Sequence, residues 1–350
     1  MLNKLFGLFS EDVGIDLGTA NVLVYVDGRG IVINEPSVVA LNQKTGQVVA
    51  VGGEAKQMVG RTPNHITIIR PLIEGVISDF EITQEMLSYF IKKIHTPRSA
   101  IFARPRTVIG VPSGITEVER RAVRDAAKNA GSREVYLVEE PMAAAIGIRL
   151  PVQEPVGNMI IDVGGGTTDI AVVSLGGIVS SLNLRIAGDK LQSDIINYVR
   201  DEFKLLLGER SAEDLKIAIG SVLKAESPME SVVRGRDLVS GLPREVIMTD
   251  ADVREAMSKS IRAITEGIKE VIEATPPELV SDIMHRGIFL VGGGAYLRGL
   301  GRLIENETKI PTRVAEDPMT AVVRGCGIIL EDLKGFKNVL LDREEEVSPQ

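Results

Sequence analysis

An aspartate is followed by a run of glycines at the point where a predicted strand ends. The strand is the apolar run 159–161, and Asp162 follows it directly. A second strand begins after Thr167. The turn between the two strands contains Gly164, Gly165 and Gly166. Glycines allow close backbone approach, and successive N–H groups in such a turn can bind an anion. The pattern therefore indicates a phosphate site in which Asp162 holds a divalent cation, since magnesium prefers oxygen ligands. An ordinary glycine-rich hairpin capped by Asp162 is the alternative.

The same plan occurs near the start of the chain. Asp16 ends an apolar strand, Gly18 opens a turn, and the turn leads into a second strand through Thr19, Ala20 and Asn21. One such hairpin is weak evidence for a function, and two in one chain are stronger. We expect the two hairpins to bind one phosphate chain from both sides, with Asp16 and Asp162 converging on its metal ion.

A second pair of segments supports an internal duplication. Residues 107–131 and 287–308 each predict a strand, a turn and a helix, and each is followed by an acidic-acidic-Pro-Met-x-Ala pattern, at 139–144 and 316–321. The chain is therefore predicted to form two related α/β lobes. In the second lobe the turn lies between a strand and a helix, whose N-terminus could bind a nucleotide. This turn contains Gly292, Gly293 and Gly294.

Length and composition exclude several classes of protein. A chain of 350 residues suits two lobes of roughly 150 residues each. The net charge of −8 argues against a general nucleic-acid binder. The single cysteine, Cys326, cannot form an internal disulfide, which suits a reducing cytoplasm. The scattered histidines His65, His95 and His285 suggest no histidine metal site.

Two segments predict contact with a membrane surface. At the N-terminus, apolar side chains recur at helical spacing on one face, and these are Leu2, Leu5, Phe6 and Phe9. Between residues 86 and 116 there is no acidic residue, and Ile101 and Phe102 lie among basic side chains. An amphipathic anchor and a membrane-touching loop are predicted to act together, because one weak anchor gives only marginal binding. The alternatives are the edge of a core and a solvated basic loop.

The sequence resembles the actin, Hsp70 and sugar kinase superfamily, and within it the MreB family of bacterial actin homologues. The resemblance covers nearly the whole chain and rests on collinear motifs, which include IDLGTAN (15–21), NEPSVVA (34–40), VPSG (111–114), EEPMAAAIG (139–147), DVGGGTTD (162–169) and VGGGAYLRGL (291–300). It implies an α/β, actin-like ATPase fold with two duplicated ribonuclease H-like lobes around a nucleotide cleft. Lobe I would be residues 1–150, with a small subdomain at 34–72 and completion by 320–350. Lobe II would be residues 151–319, with a small subdomain at 185–247.

The resemblance also implies roles for particular residues. The turns at 19–21 and 164–167 would bind the β- and γ-phosphates, and Asp16 and Asp162 would hold magnesium through water. The ribose and base would be reached from the segment Glu213, Asp214, Leu215 and Lys216, while the adenine side would be lined by Gly292, Gly293, Gly294 and Ala295. Glu140 would orient the attacking water with help from Thr167. The alternative for Glu140 is that it caps its helix.

The implied function is that of a cytoskeletal protein. Such a protein binds ATP and Mg²⁺, hydrolyses ATP weakly to ADP, and polymerises into paired antiparallel filaments on the inner face of the cell membrane. It directs cell-wall synthesis and rod shape together with transmembrane proteins of the cell-elongation machinery, and it binds no nucleic acid. The runner-up is a sugar or acetate kinase of the same superfamily. Classical P-loop and dinucleotide folds are disfavoured, since the chain has no Gly-Lys dipeptide and no G-x-G-x-x-G.

Overall fold

The structure is a computed structural model that describes residues 11–94 and 104–341. The chain divides into two compact units, of which the first comprises Met1–Val156, Val173–Val179 and Met319–Gln350, and the second Gly157–Val172 and Ser180–Pro318. The membrane contacts predicted from the sequence lie outside the described residues, and they are Leu2, Leu5, Phe6, Phe9, Ile101 and Phe102. Within the described ranges, no helix is long and apolar enough to cross a bilayer.

The strands are β1 Val13–Leu17, β2 Asn21–Val26, β3 Gly30–Pro36, β4 Val39–Asn42, β5 Gln47–Val51, β6 Ile66–Ile69, β7 Leu72–Ile73, β8 Val76–Ile77, β9 Arg106–Val111, β10 Glu134–Glu139, β11 Asn158–Val163, β12 Thr168–Ser174, β13 Gly177–Leu184, β14 Leu205–Leu206, β15 Glu230–Asp237, β16 Pro243–Thr249, β17 Ile288–Val291 and β18 Thr312–Val314. The helices are α1 Gly53–Met58, α2 Phe80–Ile94, α3 Glu117–Asn129, α4 Glu140–Gly147, α5 Gly188–Phe203, α6 Glu209–Ile219, α7 Asp250–Glu273, α8 Pro277–Arg286, α9 Leu300–Thr308 and α10 Ala321–Glu331. Short 3-10 turns occupy Gly293–Tyr296, Pro318–Thr320 and Lys337–Val339.

The first unit is built on a mixed sheet with the strand order β10-β9-β1-β2-β3. β1 pairs antiparallel with β2 and parallel with β9, and β9 pairs parallel with β10. β1 is almost entirely buried, and Val13 and Ile15 belong to the core with Leu87 and Phe90 of α2. A smaller antiparallel sheet, β5-β4-β6, lies in the same unit. The parallel strands β1 and β9 therefore end at the same edge of the sheet, where Asp16 is placed.

The large sheet of the second unit has the order β13-β12-β11-β17-β18. When each strand is matched to its counterpart in chain order, this is the order of the first sheet, and β11, β17 and β18 are parallel just as β1, β9 and β10 are. A second small sheet, β14-β15-β16, belongs to this unit. The duplicated α/β plan predicted from the two Asp-x-Gly hairpins is therefore confirmed.

Several helices begin where the sequence carries a capping signal. The Thr116 side chain accepts a hydrogen bond from the Glu119 main chain, and the Glu119 carboxylate accepts one from the Thr116 N–H, at the start of α3. Thr249 and Asp252 form the same reciprocal pair at the start of α7. Each pair satisfies main-chain N–H groups that a helix terminus otherwise leaves without partners.

Within the first unit, α4 and α10 approach each other through glycines. A Cβ added to Gly325 of α10 would overlap the carbonyl oxygen of Ala143 and lie 2.5 Å from its carbonyl carbon. A Cβ added to Gly147 of α4 would overlap the carbonyl oxygen of Ala321 and lie 2.8 Å from the Gly325 nitrogen. The two helices are therefore in main-chain contact, which fixes the position of α4 and of the residue that begins it, Glu140.

Candidate functional site

In the first unit, main-chain and side-chain hydrogen bonds hold the predicted phosphate turn. The Ser37 hydroxyl donates to the Gly18 carbonyl at 2.5 Å, and the Ser37 N–H donates to the Ala20 carbonyl at 3.0 Å. The Gly75 N–H donates to the Thr19 hydroxyl at 2.9 Å. Within the described part of the chain, the main-chain N–H groups of Thr19 and Ala20 have no acceptor. These hydrogen bonds support the turn, and its remaining N–H groups are donors of the kind that an anion needs.

Asn21, the last predicted residue of this motif, lies at the start of β2. The Asn21 side-chain amide lies 3.4 Å from the Asn34 side-chain oxygen, across the β2–β3 pair.

Asp16 and Glu140 are both neighbours of Gly110 in the first unit. Asp16 is opposite Gly110 in the parallel pair of β1 and β9. A Cβ on Gly110 would lie 3.5 Å from Glu140 Cγ and 3.7 Å from Cys326 Sγ. Burial, and then the charges of Asp16 and Glu140, raise the pKa of the Cys326 thiol. The structure therefore brings the predicted metal ligand and the predicted catalytic carboxylate of this unit to one place.

Two residues at this place, Gly110 and Cys326, were not predicted to belong to a site. Cys326 served only as an indicator of a reducing compartment, and Gly110 was merely part of a predicted strand. A glycine near the end of an otherwise apolar strand is the signal that could have drawn attention to close packing there. No local signal predicts Cys326, because it comes from α10, far away in the sequence.

Glu140 does not occupy the capping position of its helix. Glu139 is the N-cap of α4 and makes no side-chain capping hydrogen bond, and Glu140 is the first helical residue. A carboxylate in the first turn still benefits from the helix dipole. The alternative that Glu140 acts as an N-cap is nevertheless not what the geometry shows.

We expect Asp16→Asn to remove a pH dependence of stability. Asp16 keeps part of its surface accessible, yet burial among surrounding atoms raises its pKa to about 7. The unfolded chain loses this proton near pH 4 and the folded chain near pH 7, so between these values the unfolded state binds fewer protons. Stability without nucleotide and magnesium should therefore fall as pH rises from about 4 to 7, on the order of a few kcal/mol.

Denaturant unfolding of nucleotide-free protein at a series of pH values measures this effect. The exposed Asp214→Asn variant is the matched control, and its pH profile should follow that of the unchanged protein. An Asp16→Asn profile with the same slope as the unchanged protein would show that Asp16 is not the group responsible.

The second unit places Asp162 and Thr167 around its glycine turn. Asp162 is 6% exposed and Thr167 is 7% exposed. The Gly164 N–H donates to the Thr167 carbonyl at 2.9 Å and closes the turn between β11 and β12. Among the described residues, the main-chain N–H groups of Gly165 and Gly166 have no acceptor. The arrangement again combines one carboxylate with main-chain donors.

Hydrogen bonds from α5 and α6 support the glycine turn at 164–166. The first N–H groups of α5 donate to the turn, Gly188 to the Gly164 carbonyl at 3.2 Å and Asp189 to the Gly165 carbonyl at 2.8 Å. Lys216 of α6 donates from Nζ to the Gly188 carbonyl at 2.9 Å. The Lys216 ammonium is therefore close to the glycine turn, because it is hydrogen-bonded to Gly188, whose N–H group donates to that turn.

The remaining predicted residues of α6 are placed differently from one another. Leu215 is 2% exposed and packs in the core of the second unit. Asp214 is exposed and forms a 4.0 Å ion pair with Arg210. Glu213 is half-buried, on the same helix as Lys216. The Leu215 side chain is thus part of the core and cannot make the ligand contact that the resemblance implies for this segment.

The third glycine turn rests on the end of β11. Gly292 has a φ of +79°, and its N–H donates to the Pro318 carbonyl at 2.9 Å. A Cβ on Gly292 would overlap Asp162 Oδ1 and lie 2.5 Å from the Val163 carbonyl oxygen, so only glycine fits there. A Cβ added to Gly294 would also collide with Val163, and the next residue, Ala295, is buried. The structure therefore brings the turn at 292–295 next to Asp162.

The predicted order of strand, glycine turn and helix is present, but a further short element separates the glycines from the helix. Residues Gly293–Tyr296 form a 3-10 turn, and α9 begins only at Leu300. The left-handed Gly299, with a φ of +82°, separates the two elements. The first N–H groups of α9 are consequently not part of the glycine turn, and any main-chain donors here come from the 3-10 turn itself.

We expect Lys216→Ala to weaken nucleotide binding about tenfold. Loss of a hydrogen bond to a charged group costs about 1.5–3 kcal/mol. Part of this free energy would be lost from nucleotide binding, because the glycine turn would be less well supported. Titration with a fluorescent ADP measures the affinity. Lys259→Ala, on the exposed side of α7, is the control and should bind normally. Equal affinities of the two variants would contradict the role of Lys216.

The aspartates and the main-chain N–H groups of the two turns fit a magnesium nucleotide. No group of three or more His, Cys, Asp or Glu side chains that could hold a metal ion is found in residues 11–94 and 104–341. Magnesium keeps several waters and often binds through one or two carboxylates together with substrate phosphates. One aspartate beside each phosphate turn, with main-chain donors left for the phosphate oxygens, matches that chemistry.

Comparison with solved structures defines the class of fold. The structure of MreB5 of Spiroplasma citri bound to ADP superimposes with a TM-score of 0.88 and 38% identity, and the match covers 94% of this chain and 98% of that chain. The chain thus has the α/β fold of the actin-like proteins, as the sequence predicted. The family model of the MreB/Mbl protein matches residues 10–338, and the chain belongs to this family.

Two relatives with assigned names support the membership. The cell shape-determining protein Mbl of Bacillus subtilis (strain 168) is 51% identical over 326 residues, which are 93% of this chain and 97% of Mbl. The cell shape-determining protein MreB of Escherichia coli (strain K12) is 51% identical over 335 residues, which are 95% of this chain and 96% of that protein. These relatives favour the cytoskeletal prediction over the kinase alternative.

Proposed function

We propose that this chain is an ATP-binding, ATP-hydrolysing cytoskeletal protein that polymerises into membrane-associated filaments and determines cell shape. The observation that carries the proposal is the duplicated site, in which each unit combines one aspartate with a glycine-containing turn and main-chain N–H groups lacking an acceptor among the described residues. The family relatives named as cell shape-determining proteins support the cellular role. The structures of MreB5 bound to ADP and to AMPPNP support nucleotide binding.

Both phosphate turns would bind the same nucleotide. The turn at 19–21 and the turn at 164–167 would donate main-chain N–H groups to the β- and γ-phosphates, and Asp16 and Asp162 would hold Mg²⁺ through water. Glu213 and Lys216 would face the ribose and base, and the turn at 292–295 would line the adenine and α-phosphate. The two units would correspond to the two lobes predicted from the duplication.

Hydrolysis would depend on the position of a water molecule. Bound Mg²⁺ supplies charge neutralisation on the phosphates. Glu140 would orient the attacking water in line with the leaving oxygen, and the Thr167 hydroxyl would assist. In phosphoryl transfer most catalysis is positioning and electrostatic stabilisation, so a carboxylate needs only to align the water. A slow ATPase coupled to polymerisation fits this minimal equipment.

Membrane attachment would be peripheral and on the cytoplasmic face. The N-terminal apolar residues and the loop with Ile101 and Phe102 would be two weak anchors. Many such anchors along a filament add as avidity. The filaments would be paired and antiparallel, and transmembrane proteins of the elongation machinery would be their partners.

Pelleting with anionic liposomes, with and without ATP and Mg²⁺, tests the proposal when the pellet is imaged by negative stain. Filaments on lipid that require nucleotide are expected. The Asp162→Ala variant should lose them, and Asp201→Ala, at an exposed position of α5, is the control. Hydrolysis that occurs only after a sugar or acetate is added, with no filaments, would instead establish the kinase alternative.

The membrane anchors have their own test. A variant that lacks residues 1–9 and carries Ile101→Ser and Phe102→Ser should lose most of its co-sedimentation with liposomes while it still forms filaments in solution. Each apolar side chain inserted into lipid contributes about 1.5–3 kcal/mol, so the loss should be large. Undiminished binding would exclude both anchors.

A further inference from the structure

Gly110 lies near the end of a buried strand, where a glycine contributes no packing and weakens the strand. In β9 it is flanked by Asp16 of β1 on one side and by Val138 of β10 on the other, all in parallel register. Residues that are paired in this way project to the same face of a sheet. A side chain at position 110 would therefore stand on the same face as the Asp16 carboxylate.

The space above Gly110 is filled by side chains from two helices. A Cβ at this position would lie 2.8 Å from Val322 Cγ1, 3.5 Å from Glu140 Cγ and 3.7 Å from Cys326 Sγ. Carbon atoms pack at about 3.5–4.0 Å, so the Val322 contact would be a collision. The backbone of Gly110 does not require glycine, since its φ is not in the left-handed region. Glycine is therefore required at position 110 because of the side chains packed above it and not because of its backbone conformation.

We infer that Gly110 is a positioning residue for Glu140, and that the missing side chain lets the glutamate lie over β9 beside Asp16. The inference rests on the proposed role of Glu140 in hydrolysis. An added methyl group would displace Val322 first. Val322 belongs to α10, which is in main-chain contact with α4 through Gly147 and Gly325. Since α4 begins with Glu140, the displacement would move the carboxylate that aligns the water.

The expected consequence is a separation of binding from hydrolysis. None of the three atoms nearest to the added methyl group belongs to a phosphate turn, so nucleotide affinity should stay unchanged. Misplacement of a catalytic group by about 1 Å can cost about 100-fold in rate. Gly110→Ala should accordingly slow hydrolysis between about 10-fold and 100-fold.

The test measures single-turnover ATP hydrolysis and the affinity for fluorescent ADP of the full chain. Gly110→Ala should hydrolyse slowly and bind ADP within about threefold of the unchanged protein. Gly177→Ala is the matched control, because the nearest atom to its Cβ is 3.9 Å away and its φ is also outside the left-handed region. Hydrolysis by Gly110→Ala at the rate of Gly177→Ala would overturn the inference.

A double-mutant cycle separates positioning from general damage. If Gly110 acts through Glu140, Gly110→Ala should cause no further loss in a Glu140→Ala background. An equal loss in both backgrounds would overturn the inference. Should Gly110→Ala not fold, Cys326→Val adds a methyl group to a side chain of α10 that borders the same space, and its hydrolysis, ADP affinity and cycle with Glu140→Ala are expected to follow the same pattern.

The proposed function fails by a different result. Normal hydrolysis by Glu140→Ala would remove the proposed role of Glu140 itself. Slow hydrolysis by Glu140→Ala together with normal hydrolysis by Gly110→Ala and Cys326→Val would overturn only the inference about Gly110.

Discussion

Glu140→Ala is expected to slow ATP hydrolysis about 100-fold and to leave nucleotide affinity within about threefold of the unchanged protein. Glu140 begins α4, and its side chain borders the space above Gly110, the β9 residue that is paired with Asp16. Main-chain contact between α4 and α10 fixes the position of this helix. Alanine cannot orient a water molecule, but it leaves both phosphate turns and both aspartates in place. Phosphate release in a single turnover measures the rate, and titration with fluorescent ADP measures the affinity.

The control for this prediction is the neighbouring carboxylate. Glu139→Ala changes the N-cap residue of the same helix, which makes no side-chain capping hydrogen bond, and it should hydrolyse ATP normally. A helix-stabilising role for Glu140 would give the opposite pattern, with a lower melting temperature and an unchanged rate. Normal turnover by Glu140→Ala would exclude it as the group that orients water.

Gly325→Ala should destabilise the fold by about 3 kcal/mol or more. In an exposed helix this substitution stabilises by about 1 kcal/mol, because alanine is the better helix former. Here the added Cβ would overlap the Ala143 carbonyl oxygen and lie 2.5 Å from its carbonyl carbon, which are main-chain atoms that cannot rotate away. The helices α4 and α10 must then separate, and the core contacts on both sides of them are lost. Equilibrium unfolding in denaturant measures the change.

Gly177→Ala is again a suitable control, since its nearest neighbour would be at 3.9 Å. Its stability should change by less than about 0.5 kcal/mol. If Gly325→Ala proved as stable as this control, α4 and α10 would not be in main-chain contact. The same result would weaken the argument that α10 determines where Glu140 lies.

Much of the fold could be predicted because its signals are local. Asp16 with Gly18, and Asp162 with the glycines after it, indicate strand, turn and strand within a dozen residues. The duplication then follows from comparing segments, and the identical order of the two large sheets confirms it. Such patterns depend on backbone preferences and on period-two burial, which neighbouring residues determine.

The missed features depend on contacts between distant parts of the chain. The whole second unit lies between Gly110 and Cys326 in the sequence, and no local pattern indicates that the two residues share one space. The interaction of Lys216 with the Gly188 carbonyl likewise depends on how α6 packs on α5. The 3-10 turn between Gly292 and α9 was not predicted either, because the left-handed Gly299 allows a turn that hydrophobic spacing does not reveal.

The place of α10 in the first unit has a consequence for how the protein is made. β1 and α4 emerge from the ribosome early, but the helix that packs against them is encoded at residues 321–331. At about 5–20 residues per second, roughly 15–60 s pass between the synthesis of β1 and that of α10. Until α10 is made, the faces of β1, β9 and α4 that it covers lack this partner, and they are the surfaces that a chaperone would be expected to shield on the nascent chain.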